Sequence, residues 1–439
     1  MALFSTHHLN PGVQRREVFG WAMYDFANSG YTTVVLTAVF SAYFAGVVAG
    51  RAEWATFAWT AALSVSYAIV MLTMPAIGAL ADLRAAKKRY LALSTTGCVV
   101  ATAALALVGP GDVWLAMGLI VLSNMFYSYG ESLCAAFLPE LAKRDSLGTV
   151  SGWGWSFGYF GGMLALGICL AYVLWAQGQG MSGAQFVPVT MLVTAVIYGA
   201  AALATFALLN ERAAPVDTTR AGATASRAGG LAASFAQLKT TIGEARRYQD
   251  FVWLLVCAVF YQGGVAVAVT LAAIYAEQVI GFKSSETMVL IFVLNLAAAA
   301  GAFGFGFFQD RIGHKKALAI TLVGWIATCV IAALSTTKGE FWWAAAIAGA
   351  CMGSSQSAGR AMAGMFAPSA QLAEFYGLWT FATRLASIIG PLTYGVITWA
   401  TGGNHRVAIL STAVLFVFGL IALIPVNVAR GRAAAVQER

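Results

Sequence analysis

Charge is scarce in this chain. Only 10% of its 439 residues are Asp, Glu, Lys or Arg, while 60% are hydrophobic and the mean hydropathy is +0.76. A soluble globular domain carries about 25% charged residues, so this sequence cannot cover itself with a hydrated surface and is a bilayer protein. Histidine is also rare: His7 and His8 lie near the N-terminus, and His314 and His405 fall in separate polar loops. The six cysteines all sit in apolar stretches without CxxC spacing, as small buried side chains do. No metal centre, disulfide framework or cofactor site is predicted. The net charge of +8 does not point to nucleic acid, because the basic residues lie between apolar runs rather than interleaved with aromatics on an accessible face.

What is abundant is apolar sequence in runs long enough to cross a bilayer, for which about 20 residues are needed. Twelve runs can be placed, near 20–48, 56–81, 90–109, 113–138, 148–175, 187–209, 251–276, 286–308, 317–336, 341–366, 377–400 and 407–429. The N-terminal residues lack the short apolar core and cleavage site of a signal peptide, so the first run is expected to remain. Lys and Arg then set the orientation. Of 26 in all, only Arg51, Lys283, Lys338 and Arg406 fall on one side, Arg360 and Arg384 lie inside spans, and the rest fall on the other side. Both termini are therefore expected in the cytoplasm, with some attraction of the basic face to anionic lipid.

The apolar pattern stops between residues 211 and 250, where the chain is small, polar and basic. Three segments result: a six-helix bundle over 1–210, a cytoplasmic linker over 211–250 that ends in a short amphipathic stretch, and a second six-helix bundle over 251–439. The bundles echo each other. Gly78-x-x-x-Asp82 recurs as Gly306-x-x-x-Asp310, and Pro139, Gly148 and Gly161 are matched by Pro368, Gly377 and Gly390 at a nearly constant offset. Such a duplication predicts an all-α membrane protein of twelve transmembrane helices in two pseudo-symmetric halves, with substrate bound between them near mid-membrane.

The segments GALADLRAAKKR (Gly78 to Arg89) and GFFQDRIGHKK (Gly306 to Lys316) resemble the repeated loop motif of the major facilitator superfamily. The second copy is well formed; in the first, Leu83 follows the Asp and no Gly comes after it. GWAMYDFANSGYTTVV (Gly20 to Val35), FLPEL (Phe137 to Leu141), VSGWGWSFGYFGG (Val150 to Gly162) and GSSQSAGRAMAGMFAP (Gly353 to Pro368) resemble a narrower branch of that superfamily. This is the vacuole-effluxer, or "unknown major facilitator", group, related to a fungal autophagy-linked amino-acid permease. The resemblance implies secondary transport, amino acids as cargo in the fungal relatives, a monomer, and for a bacterial member the cell inner membrane. On physical grounds Asp82 and Asp310, at helix ends, can accept hydrogen bonds from the start of a neighbouring helix. The basic residues that follow, Arg311 among them, can pair across the halves in a latch on the cytoplasmic side; for Lys87, Lys88, Lys315 and Lys316 setting the topology alone is the favoured reading, and for Asp82 and Asp310 the latch.

Four ionisable residues lie inside spans: Asp25, Glu131, Arg360 and Arg384. Each costs at least about 2.5 kcal/mol there unless it faces a partner or water. At about 1.5 Å per residue, all four sit at one level, roughly 10–12 Å from the cytoplasmic ends. Two acids on the first half and two bases on the second predict ion pairs across the central cleft. Such pairs suit a purely structural role, an electrostatic gate, contact with a zwitterionic solute, or proton coupling, since an acid that loses its Arg partner away from water takes up a proton. Asn28, Asn124 and Gln356 follow these charges at helical spacing and are expected to line water. Tyr261 and Gln262 offer hydrogen-bonding groups beside Gly263 and Gly264. Tyr24, Tyr127, Tyr129, Trp153, Trp155 and Trp379 read as packing or interfacial anchors.

The predicted function is a permease for a small polar or zwitterionic solute, such as an amino acid, possibly proton-coupled. The alternatives are a permease for a larger amphiphile (a cell-wall fragment, lysolipid or drug), an intramembrane enzyme, or a non-transporting receptor. The residues offer no catalytic nucleophile with a base.

Overall fold

The computed structural model describes residues 4–50, 52, 54–212, 247–282 and 284–436, and among these it contains helices and a single isolated β-bridge, Leu9 to Ala142. The first half contributes α1 (Arg15–Tyr31), α2 (Ala55–Leu83), α3 (Lys87–Ala104), α4 (Val113–Ala135), α5 (Leu147–Gly178) and α6 (Gly183–Leu208). The second contributes α7 (Gln249–Tyr275), α8 (Ser284–Ile312), α9 (His314–Leu334), α10 (Lys338–Phe366), α11 (Leu372–Ala400) and α12 (His405–Leu423), followed by a short α13 (Val428–Val436). Residues 213–246 of the expected linker, and the amphipathic stretch read near its end, lie outside the described residues.

Ten helical stretches, one of them α1 with its continuation to Val48, are long and apolar enough to cross a membrane by length and composition alone. The other two long ones, α10 and α11, reach 29 residues each, about 43 Å, but they carry Arg360 and Arg384 with many small and polar residues. The reason is placement. Both helices face protein as well as lipid, so their composition follows the interior of the bundle rather than hydrocarbon.

Caps explain several boundaries. Gln14 with Glu17, Ser182 with Gln185, and Thr337 with Glu340 form reciprocal capping pairs at α1, α6 and α10, each satisfying amides that the first helical turn leaves open. Gly313 ends α8 at φ +93°, a conformation that favours glycine. The first loop motif has no such glycine, yet its turn is kept: Ala85, the repeat equivalent of Gly313, takes φ +45° at a cost of roughly 1–2 kcal/mol.

The packing carries the duplication further. Within the first half α1 packs on α5 and α6, α4 on α2 and α3, and α3 on α6; in the second, α7 packs on α11 and α12, α10 on α8 and α9, and α9 on α12. Between the halves, α2 packs on α11 and α8 on α5, again a related pair. The glycines of the repeat make these last contacts possible. A Cβ at Gly377 would lie 2.7 Å from Pro75 Cα, and one at Gly306 would lie 2.7 Å from the Gly148 carbonyl oxygen, so both crossings need bare backbone. Both crossings sit at the end of the bundle where Arg84, Lys87, Lys88, Lys143, Arg311, Lys315 and Arg430 gather, called the basic end below.

Candidate functional site: two ion pairs between the halves

Arg360, from α10, reaches the first half. Its Nη1 donates to Asp25 Oδ2 of α1 at 2.7 Å, its Nε to Ser151 Oγ of α5 at 3.1 Å, and its Nη2 to the Ser151 carbonyl at 2.8 Å. The guanidinium lies between the rings of Trp21 and Trp155, 4.8 and 5.3 Å from their centres. Tyr376 of α11 donates to the Arg360 carbonyl at 2.9 Å. A planar cation with a fork of donors is suited to this kind of enclosure. Gly154 leaves room for it, since a Cβ there would stand 2.7 Å from Arg360 Nη2.

Arg384, from α11, pairs with Glu131 of α4. The rings of Tyr67 and Tyr127 flank the guanidinium at 5.5 and 5.7 Å. This second pair is looser. The Glu131 side chain keeps 34% of its surface exposed, and Arg384 Nε is buried with no hydrogen-bond partner among the described residues. Beside the pairs, Gln262 of α7 donates to Gln356 of α10 at 2.6 Å and to the hydroxyl of Tyr261 at 3.1 Å. Tyr261 itself is fully buried.

Asn28 and Asn124 depart from the expectation that they line water. Asn28 is buried and accepts from the Tyr198 hydroxyl at 2.8 Å, and Asn124 is buried and donates to Ser66 at 3.1 Å. Helical spacing put them on the faces of Asp25 and Glu131, but Tyr198 of α6 and Ser66 of α2 close over those faces inside the first half. Sequence reading missed Trp21, Tyr67 and Ser151, and treated Trp155 and Tyr127 as packing. One signal was available: Trp21 and Tyr127 each stand one helical turn before an intramembrane acid.

At the basic end, each motif aspartate caps a helix of the other half. Asp82 accepts from the Glu374 amide at the start of α11, at 2.9 Å. Asp310 accepts from the Gly148 and Thr149 amides at the start of α5, at 3.0 and 2.9 Å, and from the Thr149 hydroxyl at 2.6 Å. An anion at a helix N-terminus is favoured by its open amides and dipole. The neighbouring lysines find partners within one half. Lys87 pairs with Glu140, Lys88 donates to the Leu209 carbonyl, and Lys315 donates to the Ile424 and Val426 carbonyls at 2.7 and 2.8 Å. All these partners are in the cation's own half: a carboxylate for Lys87 and the carbonyls just past the ends of α6 and α12 for Lys88 and Lys315. Arg311 is exposed.

Two duplicated six-helix bundles, meeting along related helix pairs around a charged centre, have the architecture of the major facilitator superfamily, and the relatives of this chain are secondary transporters of that superfamily. The chain belongs to the vacuole effluxer Atg22-like family, which it matches over residues 42–436. It is 27% identical over 412 residues to the MFS-type transporter YxiO of Bacillus subtilis, covering 92% of this chain and 93% of that protein. It is 26% identical over 213 residues to autophagy-related protein 22-1 of Penicillium rubens, covering 45% of this chain but only 36% of the fungal one. Among solved structures, the fucose:proton symporter FucP of E. coli superposes with a TM-score of 0.69 at 15% identity, over 94% of this chain and 98% of that one. A bacterial homologue of the iron transporter ferroportin, in an outward-facing state, gives 0.66 at 15% identity, over 94% and 99%. Likeness at this identity concerns the fold alone.

Proposed function

We propose that the protein carries a small zwitterionic solute of the amino-acid class by alternating access, with proton coupling through its two central acids. The observation that carries this reading is that both intramembrane ion pairs join one half to the other. Rocking the halves apart at the basic end breaks them, and closing that end remakes them. A solute with a carboxylate and an ammonium can replace both partners of such a pair while neither protein charge is left bare in a poorly solvated place. Proton coupling follows from the same logic, since an acid that loses its arginine there is neutralised by a proton or by a cationic solute.

The excess of Lys and Arg at the basic end supports a cytoplasmic position for that end and for both termini, in the inner membrane of a bacterium. With the caps and crossings holding that end together, the cycle starts from a state closed to the cytoplasm. Support for amino acids comes from the charge pattern and from the family's fungal members, and it is tested by substrate screening. Purified protein is scanned by thermal shift against amino acids and related metabolites, and hits are followed as flux in proteoliposomes. Glu131→Gln and Arg360→Ala are expected to abolish flux with normal membrane insertion. Wild-type flux in both variants removes the pairs from the mechanism, and flux indifferent to an imposed pH gradient removes the proton.

A further inference from the structure

The first half receives each arginine of the second half in the same way. A carboxylate meets the guanidinium, an aromatic ring one turn earlier on the same helix covers one side, and a ring from an adjacent helix covers the other: Asp25 with Trp21 and Trp155, Glu131 with Tyr127 and Tyr67. A carboxylate between aromatic faces is a receptor for an organic cation, because ring quadrupoles and the anion attract the same charge without strong hydration. The two boxes are not equally committed. Arg360 is also held by two hydrogen bonds to Ser151. Arg384 has no such hold on the backbone, its further side-chain partner being the Tyr127 hydroxyl; among the described residues its Nε is unpaired, and it faces an acid that is partly exposed.

We propose that the box of Glu131, Tyr67 and Tyr127 is a binding site for the cationic group of an organic cation, a primary ammonium or guanidinium, and that Arg384 fills it as a tethered stand-in. The inference rests on the transport reading above and deepens it by assigning the cation subsite. Entry of a solute cation displaces Arg384 from Glu131 and so releases one of the two central ion pairs between the halves. The displaced guanidinium, with its free Nε, then faces the solute's carboxylate. Ligand binding and unlocking become one event, while Arg360 keeps the other central pair.

The test is equilibrium binding to the full-length purified protein, read as a thermal shift against methylguanidinium, with methylurea as its neutral counterpart of the same shape. In the wild type the tethered side chain competes at high local concentration. Arg384→Ala is therefore expected to lower the half-saturating methylguanidinium concentration at least about 10-fold, with no response to methylurea. Adding Glu131→Gln to that variant is expected to abolish the response. Arg384→Gln, which keeps more of the side-chain volume, serves where the alanine variant fails to fold and has the same expected outcome. A response absent from the Arg384 variants, equal for methylurea, or unchanged by Glu131→Gln overturns the assignment. Cation binding that behaves as expected in a protein whose flux ignores both ion pairs supports the box and refutes the gate. Gated flux without cation binding refutes the box alone.

Discussion

The two central ion pairs are built from the same chemistry and are held to different degrees. Arg360 has three of its nitrogens engaged, two indole faces around it, and only 8% of its side chain exposed. Arg384 has one carboxylate, two phenol rings, one of which also offers its hydroxyl, and an Nε unpaired among the described residues, opposite an acid a third exposed. The difference separates a fastening from a latch. A buried cation is stable when every donor is answered, and it is also hard to release; one with an unanswered donor and a hydrated partner can be exchanged for a ligand.

Arg360→Ala should break this comparison most severely. It strands Asp25 and the Ser151 carbonyl without their donor, and removal of one partner from a buried pair costs about 3–5 kcal/mol. The melting temperature in detergent should fall steeply. Arg384→Ala should cost less, about 1.5–3 kcal/mol, because water can reach Glu131. Equal losses in the two variants would dissolve the distinction. Gly154→Ala is the next largest test, since its Cβ would press on Arg360 Nη2 and the Asp25 carboxylate; overpacking of this kind costs about 1–3 kcal/mol. The melting temperature should drop, and an unchanged value would show that the first box is not closely filled.

A second comparison lies at the basic end. Asp310 collects two amides and a hydroxyl, and Asp82 lacks the hydroxyl contact. Replacing either by Ala removes a cap worth about 0.5–2 kcal/mol, and Asp310→Ala should be the more damaging. Spin labels at the exposed positions Arg89 and Arg311, one on each half, would report it as a longer or broader distance in Asp310→Ala than in Asp82→Ala. The reverse order would mean that the α2–α11 crossing, rather than α5–α8, holds the end shut.

Much of this was legible in the sequence because membrane proteins spend their few charges sparingly. The runs of apolar residues gave the helices, the alternation of Lys and Arg gave the basic end, and repeated glycines marked where the halves cross. Asp25, Glu131, Arg360 and Arg384 stood out since nothing but function or pairing keeps a charge in hydrocarbon. Which acid meets which base was not legible, because it depends on how α1, α4, α10 and α11 are arranged in space. Tyr67 and Trp155 were hidden for the same reason, each coming from a helix other than that of its acid. The partners of Lys87 and Lys88 were not legible because Glu140 and Leu209 are distant in sequence. Asn28 and Asn124 were misjudged because periodicity gives a face but not what covers it.

The smallest expected effect concerns a third ion pair between the halves, Arg432 with Asp145 at 2.5 Å. It lies at the basic end, as the caps do, but on the surface: the Asp145 side chain is 83% exposed and that of Arg432 35%. Such a pair gains little over hydration, loses side-chain freedom, and is screened beyond about 8 Å at physiological salt. Asp145→Asn should therefore leave both the melting temperature and the Arg89–Arg311 label distance where they are, at low and at high salt. A change as large as that from Asp310→Ala would mean that the count of charges across the basic end, and not their depth and enclosure, sets its closure. The contrast drawn between Arg360 and Arg384 would then lose its physical basis, since it too is a contrast of enclosure at equal charge.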